Sequence, residues 1–145
     1  MYHVSSDKRS RRSAELIWQG MKECLQEKSL DKLRVTDINQ KSFVSRATFY
    51  RLFDAPKDVI AYECDCVYLR LAETMDQEAY PTKHAFFLCM IEKWLDEELL
   101  IRTVVENNLV SLLYETHRRH IDRMKHIFLE DTALDAQQAD YLAAV

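Results

Sequence analysis

Three properties of the sequence predict an all-α fold. The chain has 145 residues but only one Gly and two Pro, so little in it interrupts a helix. Apolar residues make up 48% of it, enough for a real core, and they recur at steps of three and four. No segment alternates polar and apolar residues between turn signals, as half-buried strands do. The length allows one globular unit or two small subdomains.

From the start of the chain, residues 1 to 8 are expected to fray. Arg9, Arg11 and Arg12 then lead into a first helix over about Ser10 to Lys28, with Ala14, Ile17, Trp18, Met21 and Leu25 at helical spacing. The Arg cluster either meets an anionic partner or is a solvated end. Leu30, Leu33, Val35 and Ile38 should close a small three-helix core.

The stretch VTDINQKSFVSRATFYRLF, Val35 to Phe53, reads as two short helices around one tight turn. Thr36 is placed to cap the first, and Asp37 behind it puts a negative charge at the positive helix end. Phe43 and Val44 make the turn, and Ser45 caps a second helix from Arg46 to Phe53. At about 100° per residue, Phe49 and Phe53 face inward while Arg46, Ala47, Tyr50 and Arg51 face outward. That is the arrangement of a helix-turn-helix, whose second helix lies in a DNA major groove.

The segment VTDINQKSFVSRATFYRLFDAPKDVI resembles the DNA-binding signature of TetR/AcrR-type transcriptional regulators, a Thr-started helix, a small turn, Ser, and a T-F/L-Y-x-x-F helix. The close match covers about residues 33 to 62. Three positions depart: Phe43 stands where the family usually has Gly, Leu52 where it often has His, and Pro56 where it often has Lys, with Lys57 following. The resemblance implies a three-helix DNA-binding domain over residues 1–55 and an antiparallel helical ligand-binding and dimerisation body over 56–145. It implies a homodimer on double-stranded DNA with a palindromic operator, relieved by a ligand. By the same resemblance Ser45, Thr48, Tyr50 and Lys57 would hold the head on phosphates, Arg46 and Ala47 would face base edges, Arg51 could do either, and Thr36 is a further DNA-binding candidate. Family members usually run some tens of residues further, so the dimer-forming C-terminal region is expected to be incomplete here.

The body is expected to begin with a helix from Pro56 or Lys57 to about Met75. Glu78 to Lys83, with Tyr80-Pro81, is the clearest loop. Ala85 to Leu95 is apolar almost all round and reads as a buried helix. Asp96-Glu97-Glu98 starts another, running to Asn107-Asn108. A long helix from about Leu109 to Phe128 carries the stripe Val110, Leu113, His117, Ile121, Met124 and Phe128. Asp135 to Val145 reads as a last helix that stops in mid-pattern. Tyr62, Phe86, Met90, Trp94, Tyr114 and His117 are the candidate ligand-binding residues. Such aromatic and Met stripes serve as core or as pocket, and a pocket here would take a small apolar or aromatic effector, with His117 or Tyr114 supplying polarity.

Charge is uneven. Residues 1 to 57 hold 12 Lys/Arg against 7 Asp/Glu, and residues 58 to 145 hold 8 against 17, so +5 and −9 make up the net −4. A basic third joined to an acidic remainder suits a chain that meets phosphates at one end. Cys24, Cys64, Cys66 and Cys89 have no framework spacing and read as reduced thiols, a redox role being the alternative. His120 and His126 make no ligand set with His117, and no metal or cofactor is expected. Met1 to Ser13 has no apolar core and Ala85 to Ile91 is too short to span a bilayer, so a cytoplasmic protein without membrane contact is expected. No Gly-rich phosphate loop, nucleophile motif or cluster of carboxylates suggests an enzyme. The alternative to DNA binding is a protein-interaction module on the same fold, with Phe43 and Leu52 as exposed anchors.

Overall fold

The computed structural model describes the backbone of residues 1–77 and 83–129 and, within them, the side chains other than those of 75–77, 83, 86 and 121–129. Among the described residues the fold is all-α: α1 (Lys8–Glu27), a 3-10 turn (Leu30–Lys32), α2 (Val35–Ser42), α3 (Arg46–Leu52), α4 (Pro56–Gln77), α5 (Lys83–Leu95), α6 (Glu98–Glu106) and α7 (Val110–Leu129). None is long and apolar enough to cross a membrane.

α1 starts two residues before the expected Ser10 because the carboxylate of Asp7 accepts from the Ser10 amide at 2.9 Å, an N-cap bond that Ser10 cannot supply to itself. Its inner face buries Ala14, Ile17, Trp18, Met21 and Cys24. Gly20 lies where α1 and α2 meet, and a β-carbon there would come within 2.6 Å of the Ser42 backbone nitrogen. Only glycine lets the two helices close to this distance.

The first residues are not frayed. Tyr2 makes a β-bridge with Phe53, the His3 amide donates to the Leu52 carbonyl at 2.7 Å, and the Asp54 amide donates to the Met1 carbonyl at 3.3 Å. The Tyr2 ring also packs edge-on against Tyr62, 5.3 Å between centroids. Residues 1–4 thus form a strap across the end of α3. The Leu52 carbonyl left open where α3 stops supplies one of its pairing partners and the Asp54 amide the other.

α2 is capped differently from the expectation. Its N-cap is Arg34, and Thr36 is an exposed residue of the first turn. The cap bond comes from Asp37, whose carboxylate accepts from the Arg34 amide at 3.0 Å and pairs with the Lys28 ammonium at 3.0 Å. Leu33 and Ile38 are buried, with Leu30 and Val35 packed beside them.

α4 contributes Val59, Ile60, Cys64, Val67, Tyr68 and Leu71 to a core that runs without a break from α1 through α4 to Leu100 and Val104 of α6. α4 lies along α7. Pro56 opens α4 where its missing N–H costs nothing, and Asp58 caps the turn by accepting from the Ala55 amide at 2.9 Å. α6 ends at Asn107-Asn108, where Asn108 takes φ 55° and Leu109 donates to the Val104 carbonyl at 2.9 Å.

Two expectations about the body are corrected. α5 is not buried all round: Met90 and Trp94 pack against the core, but Phe87, Leu88, Ile91 and Leu95 are exposed. A single helix lying on the rim of a core covers only one of its faces, whatever the others carry. On α7, Val110 is exposed, while Leu112 and Leu113 pack on the core and Thr116 is fully buried. Of the expected stripe, Leu113 and His117 do face inward, His117 against Tyr68, and Val110 alone of the described members turns outward. Of the expected Glu78 to Lys83 loop, Lys83 begins α5 and 78–82 lie outside the described residues, as do the side chains of Ile121, Met124 and Phe128 and the Asp135 to Val145 segment. All four cysteines are free thiols, Cys24 and Cys64 buried and Cys66 and Cys89 half-buried.

Candidate nucleic-acid interface

α3 is built from a cap and two anchors. Ser45 Oγ accepts from the Thr48 amide at 3.1 Å and its hydroxyl donates to Thr48 Oγ1 at 3.0 Å, which fixes the first turn. Phe49 and Phe53 are fully buried, their rings 5.8 Å apart, and set the rotation of the helix. Arg46, Ala47, Tyr50 and Arg51 consequently stand on the outer face and are exposed. The Arg46 guanidinium lies 5.4 Å from the Tyr50 ring centroid, a cation–π contact that holds both side chains above the same turn. Thr36 and Lys57 are also exposed, and Thr48 is half-buried by its bond to Ser45.

The turn before α3 carries strain. Phe43 has φ 56° and ψ 20°, the left-handed region that a β-carbon disfavours, with its ring 94% exposed. Asn39 holds this turn by donating its side-chain amide to the Val44 carbonyl at 2.7 Å. Leu52, expected as a second exposed anchor, is instead 2% exposed, packed in the core one residue before Phe53.

Several acids of the head pair with its own cations. Asp37 pairs with Lys28, Asp54 with the α-ammonium and His3, Asp58 with the α-ammonium, and Glu23 and Glu27 with Lys41. The Arg34 amide and then Lys28 hold the Asp37 carboxyl below its ordinary range, and the α-ammonium and then His3 do the same for Asp54. Among the described residues no carboxylate is within ion-pair distance of Arg46, Arg51 or Lys57.

The candidate ligand-binding residues lie apart. Tyr62 packs against Tyr2 and Phe53 and lines a groove of about 1120 Å³ between α1 and α4, together with Arg11, Trp18, Lys22, Glu63 and Arg70. Met90 and Trp94 pack against the core, and Tyr114 is half exposed. The Tyr68 hydroxyl and His117 Nδ1 are 3.1 Å apart, so His117 has a polar partner within the fold. The Phe86 side chain lies outside the described residues. Among the described residues no three His, Cys, Asp or Glu are grouped as a metal site.

Sequence reasoning missed the polar groups buried on α4. Glu63 and Asp65 are 7% and 4% exposed. Arg70 bridges Glu63 and Glu97 at 3.2 and 2.8 Å, and burial pushes the Glu63 carboxyl up despite Arg70. The available signal was two acids at i and i+2 within an otherwise apolar run from 59 to 69, which cannot both be on the solvated face. Comparison of the chain with protein-family models, curated proteins and solved structures gives no match.

Proposed function

We propose that the chain is a sequence-specific DNA-binding transcriptional regulator of TetR/AcrR type, acting as a ligand-responsive repressor. The observation that carries the reading is the outer face of α3, where Arg46, Ala47, Tyr50 and Arg51 stand exposed on a capped helix while the neighbouring acids are paired internally. In this reading residues 1–55 are the DNA-binding domain and 56–145 the regulatory body. A homodimer places two heads in successive major grooves about 34 Å apart, on a palindromic operator. Ser45, Thr48, Tyr50, Thr36 and Lys57 position the head on phosphates; Arg46 and Ala47 face bases; Arg51 serves either task. A small apolar or aromatic effector in the body shifts α4 and changes the distance between heads.

The test is selection from a random duplex library at moderate salt, repeated with Tyr50→Ala. An enriched palindrome that is lost in the variant supports the reading, and retention of no sequence over another ends it. Arg46→Ala is expected to relax preference at one base pair, where a bidentate Arg–guanine contact discriminates by about 1–3 kcal/mol. Loss that is equal on every sequence would make Arg46 a phosphate contact instead.

A second reading, a protein-interaction module on the same fold, is favoured by one observation only, the exposed Phe43 ring. Salt separates the two, because phosphate binding weakens steeply with ionic strength and contact through an aromatic ring does not.

A further inference from the structure

Asp65, on α4, is 4% exposed, and three side chains from two distant parts of the chain meet on its carboxylate. The Tyr2 hydroxyl donates to Oδ2. Arg119 of α7 donates through Nη2 to Oδ2 at 2.7 Å and through Nε to Oδ1 at 3.3 Å. His120 Nε2 lies 2.9 Å from Oδ1, its ring stacked on Tyr68 at 5.3 Å. Arg119 Nη2 also donates to Thr116 Oγ1, itself fully buried, at 3.1 Å, which fixes the guanidinium to α7. Burial, and then the Asp65 carboxylate, push the Tyr2 phenol above its ordinary range, so it stays a donor.

A carboxylate out of water is tolerated only while its partners hold it, and losing one leaves a strongly unfavourable remainder. The position of α7 therefore bears on Tyr2. Tyr2 in turn belongs to the strap that pairs with Phe53 and, through the His3 amide, with the Leu52 carbonyl at the end of α3. Each link is a contact between named groups.

We infer that Asp65 is a positioning residue that couples the placement of α7 to the pose of α3, with the strap of residues 1–4 as the link. For its meaning as regulation this rests on α3 being the DNA-contacting helix, but the coupling itself can be read without DNA. The effect on α3 is indirect, because neither Asp65 nor Arg119 touches that helix.

The experiment is native-state hydrogen exchange on the full chain, reading the His3 and Asp54 amides, with Ile17 in the α1 core reporting global stability. Arg119→Ala, on α7 and away from the strap, is expected to speed exchange at His3 and Asp54 about fivefold or more relative to Ile17, the lower end of ordinary coupling energies. Tyr2→Phe should do the same, and the double variant should be no faster than Tyr2→Phe alone. Arg119→Lys, which keeps the charge, should restore part of the protection. Unchanged His3 and Asp54 amides in Arg119→Ala, or additive effects in the double variant, would overturn the inference. Should Arg119→Ala fail to fold, Asp65→Asn serves, since it keeps the shape but removes the charge and replaces one of the two acceptor oxygens by a donating amide. Exchange decides the coupling and the duplex selection decides DNA binding, so the two can fail separately.

Discussion

Gly20 shows how much one residue can fix. A β-carbon there would meet the Ser42 nitrogen, Cβ and Cα at 2.6, 2.8 and 2.9 Å, and the first and last of these are backbone that cannot turn aside. Gly20→Ala should force α1 and α2 apart and cost about 1–3 kcal/mol, as overpacking of a tight contact does. Urea unfolding with an unchanged slope would register it as a fall in midpoint. A loss under about 0.5 kcal/mol would mean that the helices separate freely. The single Gly was visible in the sequence, but only as a sign of few interruptions; which helix it would let approach is a fact of tertiary packing. Phe43 was legible in the opposite sense. A bulky residue where the resembled pattern has Gly implied strain or another conformation, and the backbone takes the left-handed region with the ring in solvent.

At the scale of elements, α3 was the most legible because local chemistry decides it: a Ser cap, two Phe one turn apart, and Arg46 and Arg51 on the opposite face. The start of α2 was misread by two residues because Thr and Asp both cap helices, and here the Asp at the third position makes the bond. That bond has a pH signature. The Asp37 carboxyl is held below its ordinary value, so its contribution is present above about 3.8 and is lost as the pH falls toward its lowered folded value. Asp37→Asn should flatten the acid limb of stability below that pH relative to the parent, measured as melting temperature against pH; parallel curves would remove the assignment. α5 was misread because composition tells how apolar a helix is and not which of its faces finds a neighbour. With Leu95 65% exposed, Leu95→Lys should change stability by no more than about 0.5 kcal/mol. A loss of several times that in thermal unfolding would show that the face is covered in solution.

Over the whole molecule, the all-α class followed from period and from the scarcity of Gly and Pro, both of which are sums over many residues and tolerate local error. Contacts between residues far apart in sequence were not legible. Nothing near Tyr2 announces a partner at position 65, and nothing in the acidic C-terminal half announces that Arg119 and His120 turn inward upon it. For the same reason the strap reads, in sequence, as a frayed end.

The pairing of several of the head's acids with its own cations bears on how the protein behaves on a charged resin. A chain with net charge −4 at pH 7 is expected to pass through a cation exchanger. Arg46, Arg51 and Lys57, however, share one end of the molecule with carboxylates already occupied by Lys28, Lys41 and the α-ammonium. A resin bead feels the patch that faces it within about a Debye length, roughly 10 Å at 0.1 M salt, and not the sum over the chain. The protein should therefore be retained at low salt on cation and anion exchangers alike, with Arg46→Ala and Arg51→Ala eluting earlier from the first and unchanged from the second. Flow-through of the parent on the cation exchanger would mean that the acidic body screens the head. Retention would mean that the molecule presents two opposite faces to its surroundings, and that orientation decides which of them a partner meets.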